Sequence, residues 1–401
     1  MGYEIVANES VKKSPKEKVA LTLANKEVAQ EAKKYHQSFP MYQPTPLRNL
    51  ENLSNKLGVK GIYVKDEAYR FGLNAFKVLG GSYAIGEYIA KKLSLPMEEM
   101  TYEKLIATET REKIGKQTFI SATDGNHGRG VAWTAHQLLQ DCVIYMPKGS
   151  SKERLENIRR EGAKAEITDF NYDDSVRLAS KEADEKGWVL VQDTSWPGYE
   201  DIPKAIIKGY TTMALEAYEQ LQGVKPTHIF VQAGVGSFAT AMTAFFSDIY
   251  KEEKPIITVV EPNEAACVFK TMKANDGRIH PVTGEMQTIM AGLACGEPVT
   301  VGIDILRDYA DYFVSCPDEM AADGMRVLGA PLGGDERIIA GESGAAGFGF
   351  GYAILTHPEL EEMRKMLQIT KDSVLLFFNT EGDTDQENYR KIVWEGKYAR
   401  L

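Results

Sequence analysis

The 401-residue sequence has few of the features that place a protein outside the cell or in a membrane. Its four cysteines are widely spaced and form no CxxC pair. No apolar run approaches the roughly 20 residues of a membrane span, and no apolar signal-peptide core is present. These absences predict an unanchored chain in the reducing cytoplasm, although the sequence leaves open a pairing between Cys267 and Cys295.

Positive charge is also in deficit. The chain has 47 Lys and Arg against 57 Asp and Glu, which gives a formal net charge of -10 at pH 7. A field of this sign repels polyanions, so neither nucleic acid nor an anionic membrane is an expected partner. Among the six histidines, His127 has no second His or Cys at metal-ligand spacing, and no metal is predicted. A small anion can still bind where local donors converge.

Short β-branched runs alternate with longer amphipathic runs from about residue 60 onward. This alternation predicts right-handed βαβ units and an α/β fold with doubly wound, mostly parallel sheets. Strands are predicted within segments 61–67, 116–124, 141–148, 164–170, 187–193, 227–234, 256–263 and 373–380. Helical patterning covers 26–39, 128–140, 151–162, 172–187 and 211–223.

A glycine turn follows the predicted strand in THIFVQAGVGSFATAMTAFF. Gly234, Val235, Gly236 and Ser237 form this turn, where close backbone approach and the free N–H groups of the next helix favour a phosphate. The same residues fit the GxGxxA dinucleotide fingerprint, and Glu261 lies 27 positions after Gly234, near where a ribose-binding acid is expected. A monophosphate site, a nicotinamide-dependent oxidoreductase and a purely structural turn therefore all remain open.

The segment RFGLNAFKVLGGSYA places Lys77 between Phe76 and Val78, shortly before Gly80 and Gly81. An ammonium group loses hydration in apolar surroundings, which favours the neutral amine. Such a lysine either packs its stem on apolar neighbours and keeps its head in water, or acts as an amine nucleophile. The local sequence does not decide between these two interpretations.

An ordered series of motifs extends this observation. In order, the chain contains NAFKVLGGS, SATDGNHGRGVA, IIKGYTTMALE, AGVGS, VEPN, AGLACGEP, GESGAAG and FFNTEGD. From residue 45 to residue 383, this series resembles the fold-type II pyridoxal phosphate enzymes, the family of threonine dehydratase, serine racemase and tryptophan synthase β. The resemblance implies pyridoxal 5'-phosphate as cofactor, a homodimer, and a two-domain fold. The large cofactor-binding domain is expected at 1–85 and 207–401, and the small domain at 86–206.

The same resemblance implies roles for individual residues. Lys77 is expected to form a Schiff base with the cofactor aldehyde, and Asn126 to hydrogen-bond its phenolic oxygen. The turn 234–237 is expected to hold the phosphate, and Thr380 to face the pyridine nitrogen. His127 is expected to be structural, because its neighbours are glycines that shape the backbone.

Asp124 departs from the wider family, whose members carry a small or hydroxyl residue before the glycine of the GNH motif. Five stretches resemble those of the diaminopropionate ammonia-lyases: RFGLNAFKVLGGSYA, ATDGNHGRGVAW, QDTSWPGYEDIP, TIMAGLACGEP and NTEGDTD. This resemblance implies elimination of 2,3-diaminopropionate to pyruvate and ammonia. A carboxylate suits a substrate that bears a second ammonium. Lys77 is expected to be the base for one enantiomer and Asp124 for the other, with Asp193 as the second carboxylate. A threonine or serine ammonia-lyase of the same fold and a catalytically silent amino-acid sensor are the alternatives.

Overall fold

The computed structural model describes residues 2–14, 16–123 and 125–399. Eleven strands and sixteen α-helices lie within these ranges. The strands are β1 (Glu4–Ala7), β2 (Leu47–Asn49), β3 (Gly61–Asp66), β4 (Thr118–Ala122), β5 (Asp141–Met146), β6 (Lys164–Ile167), β7 (Val189–Leu190), β8 (His228–Gln232), β9 (Ile256–Pro262), β10 (Tyr312–Cys316) and β11 (Val374–Asn379).

The helices connect these strands and cover the sheets. They are α1 (Lys26–Gln37), α2 (Glu51–Leu57), α3 (Val78–Leu93), α4 (Tyr102–Ile106), α5 (Thr108–Ile114), α6 (Asn126–Gln137), α7 (Lys152–Arg160), α8 (Tyr172–Lys186), α9 (Asp201–Gln220), α10 (Ser237–Tyr250), α11 (Cys267–Ala274), α12 (Ile303–Tyr309), α13 (Asp318–Gly329), α14 (Ala346–Thr356), α15 (Glu361–Met366) and α16 (Gln386–Val393). Short 3-10 helices lie at Glu9–Lys12, Glu67–Gly72, Met97–Glu99, Lys251–Glu253, Asn263–Ala265, Ala291–Leu293 and Pro358–Leu360.

The strands form two sheets. The seven-stranded sheet has the order β1-β10-β9-β8-β11-β3-β2, and the four-stranded sheet has the order β6-β5-β4-β7. Every pair is parallel except those of the two edge strands β1 and β2, which are antiparallel to their neighbours. The predicted α/β fold with mostly parallel sheets is therefore confirmed, and all eight predicted strands are present.

Three of the observed strands were not predicted. These are the edge strands β1 and β2 and the inner strand β10. Helix α9 also begins at Asp201, ten residues before the predicted segment 211–223. Among the described helices, none combines the length and the apolar character that a membrane span needs. All four cysteines are buried thiols, so no disulfide joins Cys267 to Cys295.

Glycines bring helices α3, α6 and α9 into close contact. A Cβ atom on Gly209 of α9 would lie 2.4 Å from the Leu79 carbonyl oxygen of α3. A Cβ atom on Gly130 of α6 would lie 2.7 Å from the Val78 Cα atom. The first turn of α3 is thus held between two helices whose backbones approach too closely for any larger residue. This contact fixes the position of Lys77, which immediately precedes α3.

Candidate active site

Lys77 lies at the N-terminal end of α3, and its side chain is 16% exposed. Its neighbour Phe76 packs against the rings of Tyr210 and Phe238, with centroid distances of 4.7 and 5.2 Å. The backbone that carries the Lys77 amine is therefore held by apolar, aromatic packing. The Lys77 Nζ atom donates a hydrogen bond to Oδ2 of Asp193 at 2.9 Å.

Asp193 follows β7 and is the carboxylate that the structure places against Lys77. Burial by itself raises the pKa of Asp193, but the charge of Lys77, a smaller contribution from His127 and the hydrogen bond from Lys77 together lower it to about 2. Asp193 is therefore an ionised carboxylate at neutral pH. The phenol of Tyr172 lies 3.4 Å from its second oxygen.

The glycine turn joins β8 to the 14-residue helix α10. Gly236 has φ +99°, a left-handed conformation that glycine adopts without strain. At Gly234, a Cβ atom would lie 3.1 Å from the Leu293 Cα atom, so the turn is packed against the segment behind it. The result is a set of backbone N–H groups that lines a cavity at a helix N-terminus, which is suited to a phosphate group. The Ser237 hydroxyl donates to the backbone carbonyl of Asp193 at 3.0 Å and so ties the turn to the carboxylate.

Thr380 follows β11 and is 3% exposed. Its hydroxyl oxygen accepts a hydrogen bond from Nε2 of Gln232 at 2.9 Å. The same Nε2 atom donates to the carbonyl of Phe378, which can only accept, and this fixes the direction of the Gln232 amide. Because its oxygen already accepts from Gln232, the Thr380 hydroxyl can donate its proton to a ligand nitrogen.

The structure gathers most of the residues proposed from the sequence around one cavity. Its lining includes Lys77, Asn126, Asp193, the turn 234–237 and Thr380. Asp124 lies outside the described residues. An adjoining cleft of about 780 Å³ opens this site toward the surface, and Lys77 and Asp193 line both spaces.

His127 lines the adjoining cleft but not the inner cavity, and Glu261 lines neither space. The imidazole Nε2 of His127 is 2.8 Å from the Val191 carbonyl oxygen, which anchors α6 to the segment after β7. Glu261, the candidate ribose-binding acid of the dinucleotide interpretation, instead accepts the backbone N–H groups of Val268 and Phe269 at 2.9 and 2.6 Å. Its carboxylate therefore caps helix α11. Among the described residues, no cluster of His, Cys, Asp and Glu side chains is arranged to hold a metal ion.

Three polar residues of the site were not found by sequence reasoning. Gln232 orients Thr380, Tyr172 reaches Asp193, and Glu381 contacts Asn126. Each of these side chains acts on a residue that is distant in the chain. Only the position of Glu381, directly after Thr380 in NTEGD, offered a sequence signal.

Comparison with known proteins identifies the family of the chain. The sequence profile of the family described as "Pyridoxal-phosphate dependent enzyme" matches residues 39–372. The diaminopropionate ammonia-lyase of Salmonella typhimurium is 50% identical over 384 residues, which cover 95% of this chain and 95% of that protein. The crystal structure of the Escherichia coli diaminopropionate ammonia-lyase in complex with D-serine has a TM-score of 0.91 and 47% identity, and covers 99% of this chain and 98% of that one. The same enzyme in complex with an aminoacrylate-PLP azomethine reaction intermediate has a TM-score of 0.90 and 47% identity, with the same coverage.

The fold and the site define a pyridoxal-phosphate-dependent enzyme, and the cofactor is pyridoxal 5'-phosphate. Within this class, the chain belongs to the family of the diaminopropionate ammonia-lyases. The residues present fit the cofactor, because an amine, an amide, a hydroxyl and a backbone turn rich in N–H groups surround one cavity. Of the interpretations left open by the glycine turn, the nicotinamide dinucleotide is excluded by this family assignment.

Proposed function

We propose that this enzyme eliminates ammonia from 2,3-diaminopropionate, as the D enantiomer, the L enantiomer or both, and that the product is pyruvate. The observation that carries the proposal is the pairing of the Lys77 amine with the buried Asp193 carboxylate at 2.9 Å beside the glycine turn. Relatives that match nearly the whole chain at 50% identity bear the corresponding name.

The cofactor-binding residues follow from the lining of the cavity. Lys77 binds the cofactor aldehyde as a Schiff base, and Asn126 donates to the phenolic oxygen. The turn 234–237 binds the phosphate through backbone N–H groups, and the Thr380 hydroxyl donates to the pyridine nitrogen. Bound pyridoxal phosphate supplies the electron sink that makes the substrate Cα proton acidic. A neutral hydroxyl at the ring nitrogen moderates this sink, which suits elimination.

The Lys77 amine, released when the substrate amine replaces it on the aldehyde, removes the Cα proton from one enantiomer, and Asp124 removes it from the other. The β-amine then departs as ammonia, and hydrolysis of the released enamine gives pyruvate and a second ammonia. Asp193 recognises the distal ammonium of the substrate, because an ionised carboxylate in a buried site strongly favours an opposite charge. Serine and threonine lack this ammonium, so their elimination by the same site is the weaker alternative.

The arrangement of domains, the assembly and the location belong to the same proposal. All four strands of the smaller sheet lie between Thr118 and Leu190. This supports a small domain at 86–206 and a large cofactor-binding domain at 1–85 and 207–401. We further propose a homodimer that acts in the cytoplasm on a free amino acid.

The test is ammonia release from D- and L-diaminopropionate, serine and threonine by wild-type protein and two variants. Wild-type protein should release ammonia fastest from diaminopropionate. Lys77→Ala should release none, and borohydride should not fix cofactor to it. Asp193→Asn should lower kcat/KM for diaminopropionate by at least about tenfold, because the distal ammonium loses its partner.

Asp311→Asn is the matched control for the Asp193 variant. Like Asp193, Asp311 accepts a hydrogen bond from a lysine, in this case Lys254, and it accepts a second one from the backbone N–H of Ile257. It lies before β10, at the end of the sheet opposite the site. This variant should keep the wild-type substrate preference. Faster release from serine or threonine than from diaminopropionate would show that the substrate assignment is wrong.

A further inference from the structure

Glu381 is a buried acidic residue that lines the cofactor cavity. None of the roles proposed above is assigned to it. It follows Thr380, is 2% exposed, and lines the same cavity as Lys77 and Asn126. It is therefore close enough to the reacting groups to affect them, and too buried to be a solvated turn residue.

Donors from three parts of the chain meet at this carboxylate. Its Oε1 accepts the backbone N–H of Ser343 at 3.1 Å. Its Oε2 accepts the side-chain amide N–H of Asn126 and the hydroxyl of Thr384, the latter at 3.3 Å. With donors at both of its oxygens, the Glu381 side chain is the acceptor in each of these three contacts.

The surroundings hold Glu381 in place. A Cβ atom on Gly341 would lie 3.0 Å from the Glu381 Cγ atom, and one on Gly344 would lie 2.5 Å from its backbone carbonyl oxygen. The backbone N–H of Gly341 also donates to this carbonyl at 2.9 Å. Glu381 thus has little freedom to turn away from Asn126.

The acceptor oxygen of Glu381 determines which way the Asn126 amide points. A side-chain amide carries a carbonyl oxygen on one side and an NH₂ group with two protons on the other. With one N–H directed at Glu381, the same nitrogen retains a second N–H for a ligand in the cavity. Without Glu381, the amide could turn its oxygen toward the ligand and repel an anionic acceptor.

We propose that Glu381 is a positioning residue that holds the Asn126 amide with an N–H group toward the phenolic oxygen of pyridoxal phosphate. The inference rests on the proposed role of Asn126 and does not depend on the identity of the amino-acid substrate. A donor at the phenolic oxygen stabilises its ionised form. Glu381 therefore acts on the electronic state of the bound cofactor through Asn126.

A double-mutant cycle tests whether the two residues act as a unit. The proteins are wild type, Asn126→Ala, Glu381→Gln and the double variant, and the readouts are the dissociation constant and absorbance spectrum of bound pyridoxal phosphate without substrate. Glu381→Gln should raise the dissociation constant about tenfold and reduce the visible absorbance band of the ionised form. In the Asn126→Ala background, the same substitution should change neither readout. Equal effects in both backgrounds would overturn the proposal.

A second pair of substitutions separates the direction of the hydrogen bond from its presence. In N126D/E381Q, the Gln amide can donate to the Asp carboxylate, so residues 126 and 381 stay joined while an acceptor faces the cofactor. This variant should unfold close to the wild-type temperature yet bind the cofactor weakly. It also carries the test should Glu381→Gln alone fail to fold. Wild-type cofactor affinity in N126D/E381Q would refute the positioning role.

The experiment is independent of the proposed reaction. A wild-type protein that binds pyridoxal phosphate but releases no ammonia from diaminopropionate would contradict the proposed function and leave the Glu381 measurements unaffected. Conversely, full ammonia release with no coupling between Asn126 and Glu381 would refute only the role of Glu381.

Discussion

Two carboxylates near the carboxyl ends of parallel strands differ in ionisation because their partners differ. Asp193 faces the Lys77 ammonium, and its pKa is lowered to about 2 despite burial. Glu261 faces only two backbone N–H groups, and burial outweighs them and raises its pKa to about 8. The sequence shows an acid after a strand in both cases. The functional difference arises from contacts between distant residues, which local pattern does not record.

The raised pKa of Glu261 predicts a specific dependence of stability on pH. Between about pH 4.5 and 8, the folded protein retains a proton that the unfolded chain has lost, so the free energy of unfolding decreases as the pH rises. The stabilising contribution of Glu261 is fully present below about pH 4.5 and is lost as the pH rises through about 8. Its slope is about 1.4 kcal/mol per pH unit, and Glu261→Gln should remove it.

The measurement is chemical unfolding of wild type and Glu261→Gln from about pH 5 to 8. The free energy of unfolding of the wild type minus that of Glu261→Gln should decrease with rising pH. Other titrating groups contribute equally to both proteins and cancel in this difference. The nearby exposed residue Glu264 provides the control, and Glu264→Gln should follow the wild-type curve. A constant difference between wild type and Glu261→Gln would show that Glu261 ionises normally in the fold.

Motif residues were the most predictable part of the site, and the side chains that orient them were the least predictable. Lys77 and Asn126 stand in motifs whose order identifies the family. Glu381 lies 255 positions from its partner Asn126, so their contact depends on the two sheets meeting. A contact of this kind cannot be derived from spacing along one chain.

At the level of secondary structure, the predicted strands were those with enough apolar residues to be recognised alone. Strand β10 has the sequence YFVSC, in which Ser315 interrupts the apolar run. Its pairing with β9 and β1 supplies the stability that the local sequence lacks. Helix α9 was predicted too short, because Pro203 and Gly209 are weak helix formers. Proline is tolerated in a first turn, and Gly209 is needed for the contact with α3.

The crossing of α3 and α9 predicts that Gly209→Ala is strongly destabilising. The new methyl carbon would lie 2.4 Å from the Leu79 carbonyl oxygen, a backbone atom that moves only if the helices separate. We expect a loss of about 3 kcal/mol in the free energy of unfolding and weaker cofactor binding, since α3 carries Lys77 at its start. Thermal unfolding and cofactor titration measure the two effects.

Gly333→Ala is the matched control for this substitution. Gly333 has no atom within 4 Å of an added Cβ and no positive φ. Its replacement should change stability by less than about 1 kcal/mol and leave cofactor affinity unchanged. Equal effects of the two substitutions would mean that the helix crossing is not the source of the constraint.

At the level of the whole molecule, the site depends on both sheets. Asn126 begins a helix that follows β4 of the smaller sheet, whereas the glycine turn and Thr380 follow strands β8 and β11 of the larger one. Direct contacts between these regions include Ser237 to Asp193 and the hydroxyl pair Ser195 and Thr300 at 2.7 Å. The cofactor should therefore stabilise the two regions jointly.

Removal of pyridoxal phosphate is expected to lower the stability of the whole protein. A ligand that binds only the folded state at a thousandfold excess over its dissociation constant contributes about 4 kcal/mol. Hydrogen exchange followed by mass spectrometry should show faster exchange without cofactor in both α6 and α10, whose N-termini lie at the cavity. Helix α15, which contributes no residue to the cavity lining, should show a smaller change than α6 and α10.

Lys77→Ala separates the covalent from the non-covalent part of this stabilisation. The variant retains Asn126, the glycine turn and Thr380, so added cofactor should still slow exchange in both α6 and α10, at higher concentration than in the wild type. Protection confined to α10 would mean that the phosphate turn binds the ligand without engaging the smaller sheet. In that case the proposed contact of Asn126 with the cofactor would be wrong, because that contact alone requires α6 to respond.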